Sequence, residues 1–244
     1  MSVKHFLKKT VICRFLCCLL VSLLISANSF ADAYSAGIVA IKRGHFETAM
    51  RAFLPLAESG KAEAQNNVGH FYEQGLGVNQ DYEQAISWYT KAGEQGLGAA
   101  QHNAGMLYYN GTGVDQDYSQ AFTWFEKAAQ QDVTEAQYML GLMYHQGTER
   151  EEDYDRAREW FLKSAKMAYA NAQFMYAYML QSAQGGDAEP QKAMVWAALS
   201  ELNGKTDAIA ITSVAAMLME DKEISAVQGI VDQCLETNYA QCPE

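Results

Sequence analysis

The chain has 244 residues, 49% of them hydrophobic and 19% charged, with only 3 prolines. That is enough to bury a real core, and it is too apolar for a disordered chain. Its formal charge is −11, from 29 acids against 18 bases. This excludes the clustered positive charge that nucleic-acid binding requires and disfavours attachment to anionic lipid.

Four bases (Lys4, Lys8, Lys9, Arg14) precede an apolar run from Phe15 to Ser26, and Ser29-Phe30-Ala31 then places small residues before a cleavage point. This order reads as a secretory signal over residues 1–31, cut after Ala31. A retained membrane anchor shares the pattern, but the run is shorter than the roughly 20 residues that cross a ~30 Å hydrocarbon core. Without the leader the remainder carries 29 acids against 14 bases, a net −15. The expected location is periplasmic or secreted, with no membrane span after cleavage. Three of five cysteines leave with the leader, and Cys234 and Cys242 remain. An even, nearby pair in an exported chain predicts a disulfide worth about 2–3 kcal/mol. Two free thiols, the alternative, need a reducing compartment.

A helix pair is expected first, over about Tyr34–Arg43 and Phe46–Glu58 within 32–60, with a kink at Pro55. A period of 36 residues follows. Trp88, Trp124, Trp160 and Trp196 are the four tryptophans, and they stand 36 apart. Ala64-Gln65 recurs as Ala100-Gln101, Ala136-Gln137 and Ala172-Gln173. Gly69 recurs as Gly105 and Gly141, with Ala177 next. Asp81-Tyr82 recurs as Asp117-Tyr118 and Asp153-Tyr154. A fixed period of this length marks a helical solenoid. Four units are expected, 61–96, 97–132, 133–168 and 169–204, together spanning 61–204.

Each unit reads as two helices. In Ala62–Gln74 the apolar residues Ala64, Val68, Phe71 and Tyr72 recur at three- and four-residue steps. Gly75 stops that helix, and Gly77 lets the chain turn back. Asp81 with Gln84, and Asp117 with Gln120, have the spacing of a capping box. Gly69 and Ala85 allow the pair to approach closely, and Trp88 is expected to fill the gap to the neighbouring unit. The third unit carries Glu149 where the pattern wants glycine, so its loop is expected to differ. After the repeats, Asp207–Glu220 and Ile224–Glu236 read as a closing pair within 205–244, making about twelve helices.

The segments Ala64-Gln65-Asn66-Asn67-Val68-Gly69, Gly75-Leu76-Gly77-Val78, Asp81-Tyr82, Trp88-Tyr89 and Lys91-Ala92 resemble the Sel1-like repeat, a relative of the tetratricopeptide repeat. The resemblance implies an all-α fold, an α/α superhelical solenoid of helix-pair repeats. It also implies that the first helix of each pair lines a concave side. In that register the facing side chains are Glu63, Asn66, His70 and Glu73, then Ala99, His102, Met106 and Tyr109. Glu135, Tyr138, Leu142 and His145 follow, and then Asn171, Phe174, Tyr178 and Gln181. The groove is thus expected to be acidic at one end and aromatic toward the other. Aromatic side chains are enriched at protein interfaces, so the set suits a protein or peptide segment with apolar anchors.

Other chemistry is weakly signalled. The three histidines of that stripe occupy different columns without zinc-site spacing, so no metal is expected. Asp115-Gln116-Asp117 lacks the pattern of a calcium loop. Asn110-Gly111-Thr112 matches a glycosylation triplet. The glycine loops follow helices, not strands, and so are not phosphate loops. No catalytic residue, cofactor or nucleic-acid partner is expected, and the leading reading is a non-enzymatic interaction scaffold. A hydrolase of β-lactam or cell-wall compounds, an activity the wider family implies for cysteine-rich relatives, is the alternative. This chain has neither their repeated cysteine pair nor a Ser-x-x-Lys or Gly-x-Ser-x-Gly nucleophile. A small-ligand or peptidoglycan-binding module is a third reading.

Overall fold

The computed structural model describes residues 32–148 and 151–244. The expected leader, and the third-unit loop positions Glu149 and Arg150, lie outside the described residues. Everything described is helix, turn or loop, with no strand. Helix α1 covers residues 32–42. Then come α2 (Phe46–Glu58), α3 (Ala62–Gln74), α4 (Tyr82–Glu94), α5 (Gly98–Asn110), α6 (Tyr118–Ala129) and α7 (Thr134–Gln146). The series continues with α8 (Tyr154–Ala165), α9 (Ala170–Gln181), α10 (Pro190–Leu202), a 3₁₀ turn (Thr206–Ala208), α11 (Ile209–Met217) and α12 (Asp221–Glu236). The helices group into two compact units, one ending at Gln95 and one beginning at Gly96. In the first, α2 packs on α3 and α3 on α4. In the second, each helix from α5 to α10 packs on the next. The chain is all-α, built from consecutive helix pairs. Pro55 lies within α2, which continues to Glu58.

The period is visible as repeated bonds. Gly75, Gly111 and Gly147 end α3, α5 and α7 in the left-handed conformation, with φ of 65°, 65° and 64°. Only glycine enters that region without a Cβ penalty. The fourth unit places Ala183 there, at φ 58°. Each loop then closes with one backbone bond: Asp81 N–H to Tyr72 O at 2.9 Å, Asp117 to Tyr108 at 3.0 Å, Asp153 to Tyr144 at 3.0 Å and Glu189 to Leu180 at 2.9 Å. The third unit keeps this closure despite its different loop sequence. Asp81 and Asp117 accept from the N–H of Gln84 and Gln120 at 2.9 Å. These are one-way caps rather than the reciprocal box their spacing suggested. The box occurs instead at α12, between Glu220 and Glu223.

The close approach within each pair is made by a glycine under a ring. A Cβ added to Gly69 would lie 2.8 Å from the Tyr89 ring, at Gly105 2.7 Å from Phe125, and at Gly141 2.6 Å from Phe161. In the fourth unit the two columns hold Ala177 and Ala197, both fully buried. Both partners change together: where a Cβ stands in the first column the ring opposite is gone, so no clash arises. The ring between the paired helices is the residue after the tryptophan in the first three units, while Trp88 packs on the first unit's core and Trp124 is buried. Trp88 and Trp160 are only half-buried, and Lys91, Lys127 and Lys163 sit 4.3, 4.5 and 4.0 Å from the centroids of the tryptophans three residues earlier. These are cation–π contacts. Trp196 differs: it is fully buried, and its Nε1 donates to Pro243 O at 2.8 Å.

A glutamine column is buried beside the glycines. Gln65 and Gln173 donate to Ala57 O and Ala165 O, at 3.0 and 3.1 Å. Their amide oxygens accept from Gln95 at 2.6 Å and Asn203 at 2.9 Å, thirty residues on. Such bonds satisfy groups that would be costly to bury unpaired.

The end of the chain departs from the expected closing pair. Helices α11 and α12 both pack on α10 rather than pairing with each other. Cys234 and Cys242 form a disulfide, with Cα atoms 4.9 Å apart. It fastens the tail against α10 and the end of α8, where Lys192 and Lys166 meet Glu244.

Candidate partner-binding face

The first-helix columns fall on both units, and each is described by itself. In the first unit Glu63 and His70 are exposed, and Asn66 and Glu73 are half-buried. Glu73 is not a free charge. Tyr89 donates its hydroxyl to Glu73 Oε2 at 2.6 Å, and His70 Nδ1 lies 3.8 Å from the same oxygen. Hydrogen bonding from His70, then from Tyr89, holds the Glu73 carboxyl below its ordinary value of 4.5 against the opposing effect of burial. Burial and the Glu73 acceptor push the Tyr89 hydroxyl far up, so it stays a donor.

In the second unit, α5, α7 and α9 carry His102, Met106, Tyr109, Tyr138, Leu142, His145, Phe174 and Tyr178. All are half-buried except Tyr178, which is 41% exposed. Their rings are held by neighbours at aromatic-pair distances. The Tyr109 ring lies 5.2 Å from Tyr118 and Tyr138 lies 5.3 Å from Tyr169, both edge-on. His145 sits 5.5 Å from Tyr154 and 6.4 Å from Tyr178. His102 rests 5.8 Å from Phe125, and Lys205 Nζ lies 5.4 Å from the Phe174 ring. Polar atoms fix the orientation: Tyr109 donates its hydroxyl to Gln146 Oε1 at 3.3 Å, and His145 Nε2 lies 3.0 Å from Gln184 Oε1. Burial raises the Tyr138 hydroxyl, with Tyr169 and Tyr109 adding to it. Burial likewise raises Tyr109. Both therefore present neutral hydroxyls at neutral pH.

Tyr118, Tyr154 and Tyr169 join this face without having been expected there. Tyr118 and Tyr154 follow the capping aspartates, and Tyr169 precedes α9, so first-helix spacing does not reach them. The aspartate–tyrosine recurrence was the signal that could have found two of them. His145 is a packed member of this face. Among the described residues, no group of three or more His, Cys, Asp or Glu is arranged to hold a metal ion. Nor is any helix there long and apolar enough to cross a membrane.

A family model described as Sel1 repeat matches residues 62–97, 98–133, 134–169 and 170–204. The chain belongs to the Sel1 repeat family. Among solved structures, it is similar to a Sel1 repeat protein from Oxalobacter formigenes. The two share 25% identity over 84% of this chain and 88% of that one, with a TM-score of 0.71. It is also similar to c5321, a protective antigen present in uropathogenic Escherichia coli strains that displays an SLR fold, at 26% identity and a TM-score of 0.78 over 88% of this chain. The match spans 49% of that longer protein. A Sel1 repeat protein from Klebsiella pneumoniae, 24% identical over 78% of this chain and 95% of its own, has a TM-score of 0.51 and shares the fold. No curated protein matches it. The repeats, each a Sel1 helix pair, thus account for the Ala-Gln, glycine and tryptophan columns as packing positions.

Proposed function

We propose that this Sel1 repeat protein is a non-enzymatic interaction module of the cell envelope or exterior. It takes a protein segment on the second-unit face formed by Met106, Tyr109, Tyr138, Leu142, His145, Phe174 and Tyr178. One observation carries the reading. The rings of Tyr109, Tyr138 and His145 are braced by Tyr118, Tyr169 and Tyr154, while staying partly open to solvent. Rigid, part-exposed aromatic side chains offer contact area at low entropic cost. Solenoids present such surfaces along successive repeats. The first-unit residues Glu63, Asn66, His70 and Glu73 are proposed as a polar stretch accepting a segment's polar or basic positions. The Cys234–Cys242 disulfide supports an oxidising compartment.

The test is a crosslinking pull-down from native envelope extract, comparing the wild type with Tyr109→Ala/Tyr138→Ala. The double variant should keep its helical content and lose at least one captured protein. If it retains every partner, this face is not the binding surface. Turnover of a chromogenic β-lactam by the pure protein would replace the proposal with the hydrolase reading.

A further inference from the structure

Helix α11 stands at the register of a fifth first helix. Ala64, Ala100, Ala136 and Ala172 are each fully buried, and 36 residues beyond the last is Ala208, also fully buried. One residue on, the glutamine column (Gln65, Gln101, Gln137, Gln173) is at most 5% exposed. In each of those four units the unit's own second helix packs along the first. The fifth position of that column is Ile209, and it is 60% exposed. Ser213, which follows Gly69, Gly105, Gly141 and Ala177 in register, is exposed as well. Helix α12 leans on α10 and leaves this side of α11 bare.

The bare side is uncharged and, Ser213 apart, apolar. Between Ala208 and Met219 there is no charged residue. Val214, Met217 (83% exposed) and Leu218 extend the stripe that Ile209 begins. A helix apolar on all sides is ordinarily buried on all sides, and contiguous apolar patches of this kind mark interaction sites.

We infer that α11 receives an amphipathic helix of a partner protein, in the place that a fifth second helix would occupy. The four in-chain interfaces say what that helix must be. It is uncharged along its contact stripe, and it carries a small residue over Ser213, as Ala197 stands in that column opposite Ala177, because a Cβ at 213 leaves no room for the rings that lie over Gly69, Gly105 and Gly141. This is helix-in-groove recognition applied to an unfinished repeat. It rests on other residues than the tyrosine face, so either proposal can fail alone.

The probe is a synthetic peptide of residues 117–132 carrying Phe125→Ala, helix-stabilised by a side-chain link between positions 119 and 123, which are exposed in the fold. Binding to the full chain is read by fluorescence anisotropy. Saturable binding with a Kd near about 100 µM is expected. A weakening of roughly tenfold or more is expected for Val214→Glu/Met217→Glu, for the milder Ile209→Gln, and for a probe carrying Phe125→Glu. Circular dichroism confirms that each variant is folded, and Ile209→Gln merely restores the residue used in the other units. No saturation by about 1 mM peptide overturns the inference, as does equal binding by the variants. Sedimentation showing a wild-type dimer that Val214→Glu/Met217→Glu dissociates overturns it too, because the stripe then belongs to a second copy.

Discussion

Gln131 donates its side-chain amide to Gln101 Oε1 at 2.7 Å, across thirty residues of chain. Gln95 does the same for Gln65, and Asn203 for Gln173. In the remaining unit the donor position holds Met167, 57% exposed, and Gln137 Oε1 is buried with no partner among the described residues. Met167→Gln should supply the missing amide and raise stability by about 1 kcal/mol, since an unpaired buried acceptor costs roughly that much. Urea unfolding of the two proteins measures it. An unchanged or lowered midpoint would show that the oxygen is already satisfied.

The glycine–ring pairs should behave as coupled units. Gly105→Ala forces a Cβ into the Phe125 ring and should cost about 1–3 kcal/mol. Phe125→Ala alone opens a cavity and should cost roughly 3–5 kcal/mol. The double variant copies the Ala177–Ala197 arrangement of the fourth unit, so its loss should be at least 1 kcal/mol or so smaller than the sum. A thermal-unfolding double-mutant cycle gives the coupling, and strict additivity contradicts it.

Two left-handed positions are held by alanine, Ala183 at φ 58° and Ala168 at φ 60°. Glycine stands at the matching places elsewhere, such as Gly75 and Gly96. Ala168→Gly and Ala183→Gly should each stabilise by about 0.5–1 kcal/mol, the Cβ strain relieved less the extra freedom of the unfolded chain. A lower melting temperature in both would refute the strain argument.

Reduction of the disulfide should loosen the tail from Trp196. Cys242→Ser should cost about 2–3 kcal/mol. It should also shift tryptophan emission to the red, as the indole that donates to Pro243 meets water. Trp196→Phe should remove most of that shift. If emission is unmoved, the tail stays docked without its covalent tie.

Acid sensitivity should involve Glu73. Its folded value lies below the ordinary 4.5, so its contribution is complete above that value and is lost as pH falls through the folded one. Glu73→Gln should therefore be less stable than wild type at neutral pH, and the gap should narrow below about pH 4.5. Parallel stability curves from pH 7 to 3 would exclude the link.

Much of the fold was legible because packing positions recur. The spacing of Trp88, Trp124, Trp160 and Trp196 and the Ala-Gln pairs located the helix pairs, and Gly75 and Asp81 located a helix end and start where they occur. The tryptophans nevertheless drew attention from Tyr89, Phe125 and Phe161, whose burial depends on a glycine in the opposite helix. The chain's end was harder to read. Past Gly204 only Ala208 keeps the repeated chemistry, so nothing local placed α12 on α10. For the binding face, first-helix columns were readable, but Tyr118, Tyr154 and Tyr169 arrive from other elements, through contacts that spacing does not encode.

Because Gln65, Gln101 and Gln173 each have a donor thirty residues later within one 36-residue span, those spans carry both halves of their own match. Losing or duplicating a whole span in a recombination event leaves those amides paired, whereas a crossover out of register would strand an acceptor. The chain can thus change length in steps of a whole module without relearning how to satisfy its interior.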